Sequence, residues 1–247
     1  MLPLQKIFNL KRQNNMTKRN IISRLRLWAV AAMLTAAQAD AAAQTQVVLE
    51  TTAGNIRLEL NEKDTPLHSK NFKALVEKGF YDGILFHRLG KNFVIQAGDP
   101  NSVNAEPGVL LGDTKEPYSV PAEICYPLLT HKRGALCMAR EGDDVNPERA
   151  SSAYQFYIVY GKRFDDAELD KIQKRIDDAT DGQVKLTPEV RKTYKTRGGL
   201  PHLDGQYTVF GEVAEGLDVV ERIQKEEVDE NGRPLNNVRI LRAYVVR

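Results

Sequence analysis

The sequence predicts an all-β fold, a closed eight-stranded antiparallel barrel capped by two helices. Three observations carry this. About eight short runs rich in β-branched and aromatic residues are separated by Gly, Asn, Asp and Pro. Turn residues join neighbouring runs at Ala53-Gly54-Asn55 and at Gly90-Lys91-Asn92. Outside one charged block, only two stretches show helical spacing. Closure is the economical arrangement because it removes unpaired strand edges. The 247 residues suffice for one domain or two, the composition is globular, and no repeat period is visible.

Taken in order, Gln46–Glu50 and Asn55–Leu60 read as the first two strands. In the second, Ile56, Leu58 and Leu60 alternate with polar residues, so one face is buried. A helix follows, with Thr65 as N-cap, Pro66 at its first position and Gly79 at its stop. Leu67, Phe72, Leu75 and Val76 form its apolar stripe. Phe86–Asp99 reads as a hairpin. Residues 100–133 read as a long ordered loop with an extended piece at Val120-Pro121-Ala122-Glu123. Ala135–Arg140 and Tyr154–Tyr160 are strands around a polar loop, Glu141–Ser152. Tyr207–Val213 is a strand and Leu217–Lys225 a helix with Leu217, Val220 and Ile223 as its stripe, Val219 beside it. Asn231-Gly232 marks a turn, and Val238–Val246 closes the chain.

The block from Lys162 to Gly199 breaks the β pattern. Asp165 with Glu168 makes a capping box, and Phe164, Leu169, Ile172 and Ile176 recur at helical spacing. Thr187-Pro188-Glu189 begins a second helix carrying Val190 and Tyr194. A helical pair inserted at 162–199 is expected, either a solvated excursion or a docking surface or lid.

Residues 1–43 hold seven basic residues and one acid, followed by an apolar run, Leu27–Ala37, of signal-peptide length and too short to span a bilayer. Ala39-Asp40-Ala41 and Ala41-Ala42-Ala43 offer cleavage sites, and Met16 gives a start of ordinary leader length. No Cys lies near the cut, so no lipid anchor is expected after cleavage. Export to a bacterial periplasm follows as the expectation. Without the leader, 28 basic and 32 acidic residues remain, a formal net charge of −4. The chain's basicity therefore belongs to the leader, and no nucleic-acid or anionic-membrane surface is implied. Cys125 and Cys137 could pair after export, although Cys137 sits in a run that reads as a buried strand. His68, His87, His131 and His202 form no metal-ligand spacing.

The hairpin carries the chemistry. If the chain folds back near Asn92, Arg88 lies opposite Gln96 and both point to one face. Arg88 offers a rigid, charged fork of donors, and Gln96 an acceptor that can orient it. Phe93 and Val94 supply apolar surface close by.

Several separated segments then agree. Phe86-His87-Arg88 followed by Phe93-Val94-Ile95-Gln96-Ala97-Gly98-Asp99, Gly134–Arg140, Gln155-Phe156-Tyr157-Ile158 and Leu203–Gly211 resemble the cyclophilin family of peptidyl-prolyl cis-trans isomerases over roughly residues 46–161 and 200–246. The resemblance implies an eight-stranded barrel capped by helices, which the strand pattern gives independently. It implies that Arg88 is the catalytic arginine and that Phe93, Val94, Tyr157 and Leu203 line a proline pocket. Gln96 and Gln155 hold the substrate or orient the arginine. Ala139 and Arg140 lie on a strand whose backbone pairs with the bound peptide, and His202 and Tyr207 complete the surroundings.

Five positions depart from the family pattern: Val94 for Met, Tyr157 for Phe, Arg140 for Asn, His202 for Trp and Tyr207 for His. The Tyr157 hydroxyl must find a partner if it is buried. His202 removes a large apolar wall, which bears on cyclosporin binding. The implied function is proline isomerisation in exported clients by a monomer, without metal or cofactor. The alternative is a proline-peptide binding module or holdase with weak turnover, motivated by Tyr157, His202 and the insert.

Overall fold

The computed structural model describes residues 44–246; the leader read at residues 1–43 lies outside them. Strands β1 (Gln46–Thr51) and β2 (Gly54–Leu60) form a hairpin, followed by helix α1 (Pro66–Glu77). Strands β3 (Phe86–Leu89) and β4 (Val94–Ala97) form the second hairpin. Then come β5 (Ser119–Val120), β6 (Ala135–Met138), β7 (Ser151–Ser152) and β8 (Phe156–Val159). Helices α2 (Asp166–Thr180) and α3 (Pro188–Thr196) precede β9 (Val209–Glu215), α4 (Leu217–Ile223) and β10 (Ile240–Val245).

Eight strands make one antiparallel sheet in the order β10-β1-β2-β9-β6-β8-β4-β3. Its two ends meet. Phe86 N–H donates to the Val238 carbonyl at 2.9 Å, and Ile240 N–H donates to the Ile84 carbonyl at 2.8 Å. The barrel is therefore closed by backbone hydrogen bonds next to β10, as the edge argument requires.

Side-chain alternation divides the apolar residues between two layers. Leu136 and Met138, Phe156 and Ile158, Ile95 and Ala97, and Phe210 point inward with Leu49, Ile56, Leu58 and Leu60. Their strand neighbours Ala135 and Cys137, Tyr157 and Val159, Val94, and Val209 gather outside as a second cluster. These strands are buried on both faces, so their sequences are continuous apolar runs rather than alternating ones.

Several expectations need correction. The strand predicted to reach Arg140 ends at Met138. The extended piece at residues 120–123 pairs only through Ser119 and Val120, with β7. Thr65 holds the N-cap position of α1 but its side chain makes no capping bond: the hydroxyl donates back to the Asn61 carbonyl at 2.8 Å. Glu123 caps the helix instead, accepting from the Leu67 and His68 N–H groups at 3.0 Å each. Leu67 is 48% exposed while His68 is buried in its place, and Leu217 yields its buried position to Val219.

The charged block is a helical pair with its own small core: Leu169 and Ile176 of α2 meet Val184, Leu186, Val190 and Tyr194. The capping box at Asp165 and Glu168 is formed. The block leaves the barrel at Gly161 and returns at Gly199, where the two backbones touch. A Cβ on Gly161 would lie 2.1 Å from the Gly199 carbonyl oxygen, and Gly199 has φ +143°. Only glycine fits this neck.

Candidate functional site

The hairpin places Arg88 as the turn length predicts. Arg88 pairs in register with Gln96, and Asn92 occupies the turn at φ 52°. A second device was not foreseen. His87 is an extra residue opposite the step from Ala97 to Gln96, a β-bulge. In a regular strand Phe86 and Arg88 would share a face. The bulge lets Phe86 enter the core while Arg88 points to solvent.

A row of side chains runs from the guanidinium into the protein. Arg88 Nη1 donates to Gln96 Oε1 at 3.4 Å, the long limit of a hydrogen bond. Gln96 Nε2 donates to Gln155 Oε1 at 3.1 Å, and Gln155 Nε2 donates to the Gly112 carbonyl at 2.9 Å. Gln155 is buried and acts on Arg88 only through Gln96.

Beside this row lies the outer apolar cluster, with Val94, Cys137, Tyr157 and Val209 buried and Phe93, Leu203 and Tyr207 half-buried against it. Phe93 stacks on His202, ring centroids 6.2 Å apart and planes at 10°. Leu203 and His202 share one short 3₁₀ turn, Pro201–Leu203. Burial, with Arg175 and His131 adding repulsion, depresses the His202 imidazole to about 4, so the ring is neutral at pH 7. Every pocket residue expected from the sequence is therefore within one layer, although Val94 and Tyr157 are almost wholly covered.

The Tyr157 hydroxyl has the partner its burial demands. It lies 3.1 Å from His131 Nε2. His131 Nδ1 is 3.0 Å from Asp204 Oδ1, which also accepts from the His131 backbone N–H at 2.8 Å. The Asp204 carboxylate accepts from His131 Nδ1–H, which leaves Nε2 to accept from the Tyr157 hydroxyl. Tyr194 of α3 closes the chain, donating to Asp204 Oδ2 at 2.7 Å. His131, Asp204 and Tyr194 were not anticipated as site residues. The requirement for a hydroxyl partner at Tyr157 was the one signal pointing to them.

Ala139 and Arg140 differ from expectation. Ala139 N–H donates to Gln155 and its carbonyl accepts from Ser152, so its backbone is already occupied. Pairing with a peptide would fall to the Arg140 backbone alone. The Arg140 side chain is fixed, donating to the Gln206 carbonyl at 2.8 Å and lying 4.4 Å over the Tyr207 ring.

His87 supports the site from below. It is buried, both ring nitrogens lack partners, and burial depresses its imidazole to about 4, with Arg88 assisting and Asp99 opposing. Because the folded value lies below the ordinary 6.5, the unfolded chain binds the proton more readily. This stability is complete above pH 6.5 and is lost as pH falls toward 4. Wild type should lose about 2.5 kcal/mol more than His87→Gln between pH 7 and pH 4.5. Urea unfolding of both at pH 7 and pH 4.5 checks this; equal losses would exclude His87 as the cause.

The site is thus a closed antiparallel barrel whose outer wall carries an apolar layer with an exposed guanidinium, Arg88, beside it. The family model for cyclophilin type peptidyl-prolyl cis-trans isomerases matches residues 46–245. A peptidyl-prolyl cis-trans isomerase-like 1 of Neurospora crassa is 31% identical over 204 residues, covering 82% of this chain and 95% of that protein. A human peptidyl-prolyl cis-trans isomerase-like 3 is 31% identical over 195 residues, covering 78% and 91%. The crystal structure of a Cryptosporidium parvum cyclophilin type isomerase superposes with a TM-score of 0.58 at 24% identity, covering 83% of this chain and 98% of that one. The same protein has been solved in the presence of the dipeptide Ala-Pro. The chain belongs to the cyclophilin-type peptidyl-prolyl cis-trans isomerase family.

Proposed function

We propose that this enzyme accelerates rotation about X-Pro bonds in exported polypeptides, with Arg88 as its catalytic residue. The observation that supports this reading is the register that pairs Arg88 with Gln96 beside the outer apolar layer. Amide resonance sets a barrier of about 18–20 kcal/mol, and the unassisted flip takes roughly 10–100 s at 25 °C. At mid-rotation resonance is lost and the prolyl nitrogen becomes basic. A guanidinium N–H donated to that nitrogen stabilises the twisted state more than either planar one, which lowers the barrier. Phe93, Tyr157, Leu203 and Tyr207 grip the ring, and the Arg140 backbone holds the flanking chain. A gain of about 10⁵ needs about 7 kcal/mol, shared between donation and positioning.

Turnover of an Ala-Pro peptide by the chain lacking residues 1–43, in a protease-coupled assay, tests the reading. Slow turnover with suppressed client aggregation would favour a holdase instead. Phe93→Ala should remove about 2 kcal/mol of ring contact, lowering kcat/KM about thirty-fold with most of the change in KM. Unchanged kinetics would place the ring elsewhere. The basic residues and apolar run of residues 1–43 support export to the periplasm. Fractionation of cells expressing the full chain should find the shortened form outside the cytoplasm; retention of full-length chain inside would overturn the localisation.

A further inference from the structure

The insert adds a groove that the proline site does not account for. It has a volume of about 550 Å³, within the range of peptide and ligand sites. One wall is α2, which presents Glu168, Lys171, Ile172 and Arg175 to it. These positions are spaced i, i+3, i+4 and i+7, so they share a helix face. Leu169 and Ile176 of the same helix turn into the insert's core, and Ile172 lies at the border, lining the groove while packing against that core. The opposite wall is Phe93 with Lys91 and Asn92 of the hairpin turn, and Leu200 with His202 closes the floor.

Two properties identify an occupant. The groove is continuous with the proline site, because Phe93 and His202 belong to both. It is also strongly positive. Lys91, Lys162, Lys171 and Arg175 face one acid, Glu168, whose carboxylate is already engaged by Lys162 at 2.5 Å and by the Asp165 N–H at 3.0 Å. Lys91, Lys171 and Arg175 form no ion pair among the described residues and are exposed. This positive charge gathers on a chain that is net negative without its leader.

Direction follows from β8. The residue before its start lies beside Ala139, the neighbour of Arg140: Gln155 O accepts from Ala139 N–H. The two residues after its other end, Tyr160 and Gly161, both donate to the carbonyl of Phe93, which lines the groove. A substrate chain held at Arg140 with its proline on Phe93 runs on into the groove.

We propose that this groove is an extension of the substrate site that takes an acidic stretch of the polypeptide, on the side of the proline remote from Arg140. The inference rests on the isomerase reading of the adjoining site. Three dye-labelled decapeptides test it, each with one Ala-Pro: one with neutral flanks, one with three Glu after the proline and one with three Glu before it. Fluorescence anisotropy at 50 mM salt gives Kd, and exchange NMR gives turnover.

One of the two acidic peptides should bind about ten-fold more tightly than the neutral one. The ratio should shrink toward one at 500 mM salt and in the Lys171→Glu/Arg175→Glu double variant, whose folding is checked by its unfolding temperature. Using the ratio cancels any general loss in that variant. Equal Kd values for all three peptides, or a preference that survives the double substitution, would overturn the groove. Failure to turn over the neutral peptide would instead count against the isomerase reading, which the binding ratio does not measure.

Discussion

Arg88→Ala should lower kcat/KM on an Ala-Pro peptide about 10²–10³-fold while leaving the barrel folded. The size follows from removing one preorganised donor to charge that develops only in the transition state. The intact fold follows from the environment: Arg88 is exposed, and its one side-chain bond, to Gln96, is 3.4 Å long. Its unfolding temperature should therefore stay within about 2 °C of wild type, as surface substitutions do. Arg88→Lys keeps the charge but loses the planar fork, so it should recover only part of the rate. Gln96→Ala should cost far less than Arg88→Ala, because a contact at that length orients the guanidinium weakly. Protease-coupled kinetics with a thermal melt on each variant decide the matter. Near-normal turnover by Arg88→Ala would falsify the catalytic assignment, and a large loss from Gln96→Ala alone would show that the contact shortens with substrate bound.

Local chemistry makes part of this site legible in the sequence alone. The turn at Gly90-Lys91-Asn92 and the two-residue period of strands suffice to set Arg88 against Gln96, since both are short-range. The capping box of α2 is similarly local, its bonds spanning three residues. What escaped depends on long-range docking. The side-chain cap of α1 comes from Glu123, 55 residues beyond His68, so the local Ser/Thr rule found the N-cap position at Thr65 but not the bond. The bulge at His87 adds a residue that the alternating pattern does not reveal, because Phe86, His87 and Leu89 are all buried for different reasons. The outer layer was legible only as apolar runs. Which side chains face the barrel interior and which face the pocket is decided by pairing with neighbouring strands, as at Cys137 and Tyr157. The groove beside α2 was beyond reach, since its two walls come from residues about 80 apart in the chain that meet only after the insert has docked.

The largest effect on stability should come from Asp204→Ala. Asp204 is fully buried and joins three parts of the fold: the loop at His131, the pocket strand through Tyr157 and the insert through Tyr194. Its carboxylate accepts from the His131 backbone N–H, from His131 Nδ1 and from the Tyr194 hydroxyl. Truncation leaves three buried donors unmatched, each worth about 1–3 kcal/mol of desolvation, so the loss should be about 4 kcal/mol or more. That is a large fraction of the roughly 5–15 kcal/mol available to a domain, and it should lower the unfolding temperature by about 10 °C or more. Tyr194→Phe removes one donor instead of an acceptor and leaves Asp204 two partners, so it should cost about 1 kcal/mol. The contrast separates the network from mere packing, because Phe keeps the ring that Phe164 meets edge-on at 6.4 Å. Release of His131 also frees Nε2 from a fixed role, so Asp204→Ala should loosen the Tyr157 wall and raise KM for a proline peptide in the fraction that remains folded. Urea unfolding of both variants, with peptide kinetics at 10 °C where Asp204→Ala is still folded, provides the check. Equal losses for the two substitutions, or a loss below about 1.5 kcal/mol for Asp204→Ala, would mean that water replaces the carboxylate and that the insert and the pocket are not joined through it.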